Sequence, residues 1–566
     1  MKTAAIAFML LVCALTARAE NYPPFNAGAG TQTFNPRYSF VTTQSRLMET
    51  ADRIHEMGSD IIKLEMSERV WGVSGYSGYK LPTNKSDYST LAALAANEPS
   101  YQYVFNKPFR TYIIWAYPLT ISGSVYNSYW RNGLSDANRA KEYNEIKALA
   151  EHLLTAFRGT GKTFLLGHWE GDWSLRNSGD PNVVPTATAI QGMIDWLNTR
   201  QQAVIDARAS VPGSDVTVYN YAEVNVVLSK IKGWTPQWVI MTDVVLPYVN
   251  NLDLVSYSAY ETANQVVLGG NYPQWMFDCL DYITAHANTV APFERDVFIG
   301  EYGMPVSGSG AYTVAQQTDL ARLMIQNTLG WGCPYNLYWQ MYDNEGTGYW
   351  LVDKNNAAQP AYGVHRDYLA RAHAFKNLAR FWLDRNPSEG EMRDMAQTWT
   401  SFQTAARFED IINSDEFGAA WTNAQYLDFL FLRLLNTAST VGDPDYAVWL
   451  AQLDGGAPRS AALKAGLNSG RFAGLISNTA FALYLYKKTL QRPVVDTGSA
   501  EFQNTLAQLD GGMPRSELWL FFLNSEEFRM MELNLRQIDN KGNVTIFERE
   551  FFLLDFPSDV GGWRVY

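Results

Sequence analysis

Short hydrophobic runs alternate with longer amphipathic stretches through most of the chain. Eight runs are rich in β-branched and aromatic residues, and they cover residues 38–42, 60–66, 111–117, 163–169, 216–221, 252–257, 297–302 and 335–341. Helical periodicity fills the gaps, most clearly over 45–57, 138–157, 188–209 and 313–329. This pattern predicts an α/β fold, a closed (β/α)8 TIM barrel. An open doubly wound sheet competes, but no predicted strand leads into a glycine-rich dinucleotide or phosphate loop.

After about residue 386 the strand pattern stops and a helical repeat begins. Ala451-Gln-Leu-Asp-Gly-Gly-Ala-Pro-Arg-Ser460 recurs 56 residues later as Ala507-Gln-Leu-Asp-Gly-Gly-Met-Pro-Arg-Ser516. Asn468-Ser-Gly-Arg-Phe472 recurs as Asn524-Ser-Glu-Glu-Phe528, and Asn413-Ser-Asp-Glu-Phe417 ends a partial first copy. Gly after a helix and Pro before the next one are typical stop and start signals. We therefore predict a barrel over 20–385, a smaller all-α repeat domain over 386–540, and a hairpin or terminal strand within 541–566.

The N-terminus predicts export. Lys2 precedes an apolar run over 4–15, and Ala17-Arg-Ala19 fits a signal-peptidase site, so residues 1–19 are predicted to be a signal peptide. We expect a secreted protein, extracellular or periplasmic, without a transmembrane segment, because no later stretch offers about 18 uninterrupted apolar residues. Cys279 and Cys333 then remain, either as a disulfide or as two buried free thiols.

Composition excludes several function classes. Of the 566 residues 47% are hydrophobic and 18% are charged, which is a globular composition. The net charge of −12 disfavours nucleic acid as a partner. Six His and three Cys, with no HExxH or CxxC motif, argue against a metal site, and we expect no cofactor.

Two glutamic acids stand where predicted strands give way to glycine-containing loops. Glu170 lies in Gly167-His-Trp-Glu-Gly-Asp-Trp173 after the fourth strand, and Glu301 lies in Phe298-Ile-Gly-Glu-Tyr-Gly303 at the end of the seventh. By period two, residues 164, 166, 168 and 170 share one strand face, as do 297, 299 and 301. Strands four and seven lie across the barrel mouth from each other, so we expect both carboxyl groups to converge there.

Two carboxyl groups that face one bond are what glycoside cleavage requires, since one donates a proton while the other attacks or stabilises the anomeric carbon. Trp169 and Trp173 would favour a neutral Glu170, and a tyrosine hydroxyl would favour an ionised Glu301. Other acidic residues are weaker candidates: Glu65, which shares a face with Lys63 as an expected ion-pair partner, and Asp172, Glu223, Glu261, Asp343 and Glu345.

Aromatic side chains also cluster at predicted strand ends, where sugar rings would stack on them. These are Trp115, Trp169, Trp173, Tyr257, Tyr260, Tyr302, Trp339 and Tyr342. For about half of them, core packing is the better explanation.

The order Glu170, Tyr257 or Tyr260, Glu301 and Trp339 on strands four, six, seven and eight resembles clan A retaining glycoside hydrolases over residues 30–380. The resemblance implies that Glu170 is the acid/base and Glu301 the nucleophile. It also implies that one of the two tyrosines touches the nucleophile and that Trp339 forms the floor of the sugar site.

One position departs from this clan, and the repeats resemble a different family. The clan has Asn immediately before the acid/base, where this chain has Trp169, so His168 or Asn220 is expected to replace it at the sugar 2-hydroxyl. The Leu-Asp-Gly-Gly…Asn-Ser-x-x-Phe repeat is similar to a domain of unknown function that occurs in many exported bacterial proteins.

The resulting expectation is a secreted hydrolase that cleaves a β-linked polysaccharide or oligosaccharide with retention. The substrate contacts would come from His168, Trp169, Trp173, Asn220, Tyr257, Tyr260, Trp339 and Trp115. A transglycosylase with the same intermediate is one alternative, and a non-catalytic carbohydrate-binding or cell-surface protein is another. The repeats would attach the enzyme to a surface or a protein partner.

Overall fold

The computed structural model describes residues 25–546, except for 74, 127, 181, 235–238, 309, 436, 438, 439, 441, 491, 493, 535 and 539–543. The predicted signal peptide and most of the predicted tail lie outside the described residues. Eight parallel strands form a closed barrel in chain order, with β1 paired to β8. They are β1 (Ala29–Gln32), β2 (Ile61–Met66), β3 (Thr111–Ala116), β4 (Thr163–Gly167), β5 (Thr217–Val224), β6 (Leu254–Ser258), β7 (Val297–Tyr302) and β8 (Asn336–Tyr338). The predicted barrel is confirmed.

The prediction for the first strand was wrong. Residues 38–42 lie in a loop, and β1 is the short segment Ala29–Gln32. A β-carbon at Gly30 would lie 2.9 Å from Ile61 Cβ and 3.0 Å from Leu337 Cδ2, so the barrel interior has no room for a side chain there. Because close packing requires a small residue at this position, β1 carries no hydrophobic run that a pattern could detect.

Helices surround the barrel and cover its outer face. They are α1 (Arg46–Glu56), α2 (Leu91–Asn97), α3 (Pro99–Phe105), α4 (Ser128–Arg131), α5 (Asp136–Ala156), α6 (Gly171–Arg176), α7 (Ala187–Ser210), α8 (Val227–Ile231), α9 (Met241–Val244), α10 (Tyr260–Ala263), α11 (Gln265–Leu268), α12 (Gln274–His286), α13 (Val314–Met324) and α14 (Pro360–Leu383). Four long helices begin at a Ser or Thr whose hydroxyl accepts from the backbone N–H three residues on: Ser45, Ser135, Thr186 and Thr313. Cys279 and Cys333 are free and buried.

An all-α region follows the barrel. Its helices are α15 (Glu389–Thr398), α16 (Thr404–Asn413), α17 (Asp415–Ala420), α18 (Asn423–Leu435), α19 (Pro444–Asp454), α20 (Arg459–Asn468), α21 (Gly470–Leu475), α22 (Asn478–Tyr484), α23 (Ala500–Asp510), α24 (Arg515–Leu523) and α25 (Glu526–Asn534). Two short antiparallel strands come last, β9 (Arg536–Ile538) and β10 (Val544–Ile546). Across the described residues, no helix is both long enough and apolar enough to span a bilayer.

Equivalent asparagine side chains join the three sequence copies to one another by hydrogen bonds. Asn413 Oδ1 accepts from the backbone N–H of Ser460, Asn468 Oδ1 accepts from that of Ser516, and Asn524 Oδ1 accepts from that of Ala405. The third bond returns to the first copy, because Ala405 lies eight residues before Asn413, as Ser460 lies before Asn468 and Ser516 before Asn524. The three copies therefore form a closed ring.

The all-α region is attached to the side and lower end of the barrel. Arg371 of α14 donates hydrogen bonds to the carbonyl oxygens of Trp399 and Phe402, each at 2.9 Å. Gln397 of α15 donates to Gly330 O at 2.8 Å. Gly330 caps the C-terminal end of the helical segment that precedes β8, so this contact is at the end of the barrel opposite the C-terminal ends of the strands.

Candidate active site

The chain brings Glu170 to the barrel mouth by leaving the strand early. β4 ends at Gly167, and the ring of His168 packs against Trp196 of α7, with centroids 5.1 Å apart, so His168 faces the helices. Gly167 faces the interior, where a β-carbon would lie 2.3 Å from the ring of Tyr221. The predicted face that ran through residues 164, 166, 168 and 170 is therefore wrong. Glu170 instead reaches the end of β6, where its Oε1 accepts from Ser258 Oγ at 2.6 Å.

A bulge in β7 turns Glu301 into the barrel. The β6–β7 register passes from Tyr257↔Ile299 to Ser258↔Glu301 and skips Gly300. Such an extra residue re-aims the side chains that follow it. Tyr302 consequently points outward, where its hydroxyl bonds to His365 Nε2 of α14 at 3.0 Å. The predicted face through residues 297, 299 and 301 is interrupted by this bulge.

A buried lysine and a third glutamic acid connect the two candidates. Lys63 Nζ lies 2.8 Å from Glu223 Oε2 and 3.4 Å from Glu301 Oε1. Glu223 Oε1 accepts from the backbone N–H of Glu170 at 3.0 Å, and its Oε2 also accepts from Ser256 Oγ at 2.8 Å. Glu223 thus contacts the backbone of one candidate and shares an ammonium group with the other.

Burial makes Glu170 a weak acid. Its pKa is raised to about 8, first by desolvation and further by the nearby carboxylates of Glu223 and Asp172, while the Ser258 hydroxyl and Lys63 lower it. A carboxyl group with this pKa retains its proton at neutral pH. Glu170 can therefore donate a proton to a leaving oxygen.

Glu301 has better donors for its anion. Lys63 approaches one of its oxygens, and the hydroxyl of Tyr260 donates to the other at 3.2 Å. Burial raises the pKa of Glu301 well above its ordinary value; Lys63 opposes that rise, Glu223 and Glu170 add to it, and the Tyr260 hydroxyl also opposes it. Because an ammonium and a phenol face Glu301 where one serine hydroxyl faces Glu170, a single negative charge is better placed on Glu301.

Aromatic rings form the wall on the β1, β3 and β8 side. The Trp115 ring lies 4.7 Å from Lys63 Nζ, and Phe34 packs between Trp115 and Trp339, with ring centroids 3.8 and 5.3 Å away. Trp339 Nε1 donates to Glu345 Oε1 at 3.2 Å. Trp169, next to Glu170, is half-buried and donates its backbone N–H to the Tyr117 hydroxyl.

Three predicted contact residues do not reach this site. His168, Asn220 and Tyr257 are fully buried. The ring nitrogens of His168 bond to Trp169 O and the Glu223 N–H, and burial lowers its pKa to about 3. The Asn220 amide and the Tyr257 hydroxyl bond to Gln201 of α7 and Thr262 of α10, so both point into the helical layer. Trp173 packs against Val226 and Ile240. Of the two tyrosines that were left open, Tyr260 is the one that contacts Glu301.

The expected Lys63–Glu65 pair does not form. Glu65 instead accepts from Arg69 Nε at 2.7 Å and from Ser67 Oγ at 2.6 Å, while Lys63 pairs with Glu223 and Glu301. Asp172 is fully buried and accepts from the backbone N–H groups of Met241 and Asn225, so it holds loops together.

Sequence reasoning missed the inward-facing Ser256 and Ser258, and it placed Lys63 outside the site and ranked Glu223 only as a weaker acidic candidate. A signal was present, because a lysine and a glutamic acid inside hydrophobic strands must find partners when they are buried. The pattern cannot say which partners, since β2, β5 and β7 meet only across the interior.

The described part of the chain contains no group of three or more His, Cys, Asp or Glu side chains arranged to hold a metal ion.

No protein-family model and no curated protein matches the chain. Among solved structures it is similar to a mutant glycoside hydrolase 5 lichenase from Caldicellulosiruptor sp. F32 in complex with cellotetraose, at 15% identity over 62% of this chain and 97% of the other, with a TM-score of 0.37. A family 5 xyloglucanase from Paenibacillus pabuli is 13% identical over 60% of this chain and 97% of the other, with a TM-score of 0.38. A broad-specificity endoglucanase from Clostridium acetobutylicum is 12% identical over 61% of this chain and 97% of the other, with a TM-score of 0.36.

Proposed function

We propose that this protein is a retaining glycoside hydrolase that cleaves β-linked polysaccharides or oligosaccharides. The observation that carries the proposal is the unequal pair of buried carboxyl groups at the ends of β4 and β7. Burial raises the pKa of Glu170 to about 8, while Glu301 has the Lys63 ammonium and the Tyr260 hydroxyl as donors. The resemblance of the residue order to clan A supports the β-linkage and the retention of configuration.

In the first step, Glu170 gives its proton to the glycosidic oxygen while Glu301 Oε attacks the anomeric carbon. The carbon–oxygen bond to the leaving sugar breaks, and an ester forms between Glu301 and the remaining sugar. In the second step, Glu170, now ionised, takes a proton from water, and the resulting hydroxide displaces Glu301. Trp339 supplies the apolar ring face on which the sugar stacks, and Trp115 and Phe34 pack beside it.

We also propose that the protein is exported and that the closed ring of repeats attaches it to a surface or protein partner. The signal-like residues 1–19 support export. The ring and the preceding helix α15 lie against α14 and against the end of the helix before β8. This position supports attachment because it leaves the barrel mouth uncovered.

The test is release of reducing ends from a panel of β-glucans, xyloglucan, mannans and xylans. The wild-type chain is compared with Glu170→Gln and Glu301→Gln, and with Glu294→Gln as an exposed control away from the mouth. We expect turnover on at least one polymer, a loss of about a thousandfold or more in both site variants, and no change in the control. Absence of turnover across the panel, or full turnover by Glu301→Gln, would contradict the proposal.

A further inference from the structure

Glu223 occupies an unusual position beneath the candidate catalytic pair. It is fully buried on β5, and its two oxygens accept from three different groups: the Glu170 backbone, the Ser256 hydroxyl and the Lys63 ammonium. Lys63 in turn donates to Glu301 Oε1 and to the backbone oxygen of Gly300 at 3.1 Å. One ion pair therefore contacts the acid on β4 and the nucleophile on β7.

We propose that Lys63 and Glu223 are positioning residues that act as one unit, leaving the proton on Glu170 and the negative charge on Glu301. This rests on the proposed function, because the placement of that proton matters only if the pair performs acid and nucleophile chemistry. Neither Lys63 nor Glu223 contacts the scissile bond in this account, since both act through the two glutamic acids.

Charge accounting supports the unit. Three carboxyl groups and one ammonium share a buried interior, and three negative charges against one positive charge would be strongly unfavourable there. Lys63 Nζ lies closer to Glu223 than to Glu301, so Lys63 and Glu223 form an ion pair that is nearly neutral as a whole. The two charges of this ion pair nevertheless face different groups. Glu223 adds negative charge next to the Glu170 backbone, whereas Lys63 adds positive charge next to the Glu301 carboxyl group.

The other ionisable groups near Glu170 and Glu301 do not take over the role of Lys63 and Glu223. Asp172 acts on Glu170 in the same sense as Glu223, and Tyr260 supplies a neutral hydroxyl to Glu301. Burial keeps Tyr221 and Tyr349 protonated by raising the pKa of each, and it keeps His168 neutral by lowering its pKa to about 3. Lys63 is therefore the cation that contacts Glu301.

Close packing fixes the geometry of the unit. A β-carbon at Gly300 would lie 1.8 Å from Ser256 Oγ and 2.8 Å from Glu223 Oε2. The bulge that aims Glu301 therefore packs against the carboxylate that binds the Glu170 backbone, with no room for a side chain between them.

The experiment measures the two limbs of the pH profile of kcat/KM for Lys63→Met, Glu223→Gln and the double variant. Loss of the Lys63 charge should move the acidic limb up by about one unit or more, because Glu301 then holds its proton more strongly. Loss of the Glu223 charge should move the basic limb down by about one unit or more, because Glu170 then loses its proton more readily. The double variant should lie between the two single variants, and Lys63→Arg should keep the wild-type limbs.

Buried residues at the lower end of the barrel provide matched controls. Lys162 donates to Lys107 O and Phe109 O, and Asp253 pairs with Arg208, so Lys162→Met and Asp253→Asn remove a buried lysine and a buried carboxylate elsewhere. Both controls should keep the wild-type limbs. A uniform fall in kcat/KM with unmoved limbs in Lys63→Met and Glu223→Gln would overturn the proposal.

A second readout does not need a substrate. Carboxyl carbons of Glu170 and Glu301 in ¹³C-labelled protein are titrated by NMR in the wild type, in Glu223→Gln and in Lys63→Met. We expect the Glu170 resonance to titrate at lower pH in Glu223→Gln, and unchanged titration of both carboxyl groups would overturn the proposal. An inactive wild type whose carboxyl groups still shift as expected would reject the glycosidase function but keep the charge unit.

Discussion

Glu170 links the chemistry of the site to the stability of the fold. Its folded pKa, raised to about 8 by burial, lies above that of the unfolded chain, so its contribution to stability is complete below pH 4.5 and is lost as the pH rises through 8. Glu170→Gln removes this dependence. We expect it to raise Tm by about 2 to 5 °C at pH 8 and by about 1 °C or less at pH 5. Calorimetry at the two pH values checks this, and an equal gain at both would contradict it.

The Ser258 hydroxyl favours the ionised form of Glu170, because it donates to the carboxylate at 2.6 Å. In Ser258→Ala the pKa of Glu170 should rise, and the basic limb of kcat/KM should move up by about 0.5 to 1 unit. Ser59→Ala is the control, since the Ser59 hydroxyl bonds to backbone oxygens of residues 29 and 61 at the lower end of the barrel. A basic limb that stays fixed or moves down would show that Ser258 does not act on Glu170.

The selection of Glu170 and Glu301 from the sequence needed only the strand ends, and the structure places both as buried side chains at the ends of β4 and β7. Their orientation was not predictable by periodicity. β4 stops at Gly167, and β7 carries a bulge at Gly300, so the period of two fails at both residues. The partner of Lys63 was mispredicted for a related reason. Glu223 and Glu301 lie across the barrel from Lys63, and the local sequence does not show which side chains meet across the interior.

At the scale of elements, the β7 bulge depends on a residue without a side chain. Gly300→Ala would press a β-carbon into Ser256 Oγ and Glu223 Oε2, so we expect a loss of about 2 kcal/mol or more in the free energy of unfolding. The control is Gly363→Ala on α14, where a β-carbon meets nothing within 4 Å and helix propensity predicts a gain of up to about 1 kcal/mol. Denaturant unfolding measures both, and a tolerated alanine at position 300 would contradict this account of the bulge.

Strand and helix patterns predicted most elements because each barrel strand except β1 carries a hydrophobic run and each long helix has a clear start signal. β7 was predicted with its observed ends, Val297–Tyr302. β1 was not predicted because Gly30 and its neighbours are small. The small size of Gly30 is required by packing against Ile61 and Leu337 of other strands. Elements whose residues are chosen by packing against distant partners are the ones that local patterns miss.

At the scale of the whole molecule, the repeat ring supports the barrel without entering the site. Asn468→Ala would leave the buried N–H of Ser516 without its acceptor, and we expect a loss of about 1 to 3 kcal/mol in stability with unchanged kcat/KM. Asn423→Ala removes an exposed hydrogen bond to Asp454 and serves as the control. A large change in kcat/KM at 25 °C in the Asn468 variant would show that the ring acts on the site.

The most direct test of the two-glutamate mechanism is azide rescue with an activated aryl β-glycoside of the sugar that the panel identifies. In Glu301→Ala, azide should restore turnover by attack from the opposite face and give the α-glycosyl azide. In Glu170→Ala, azide should intercept the covalent intermediate and give the β-glycosyl azide. Product NMR distinguishes the two anomers. The absence of rescue in both variants, or the same anomer from both, would contradict the assignment of nucleophile and acid.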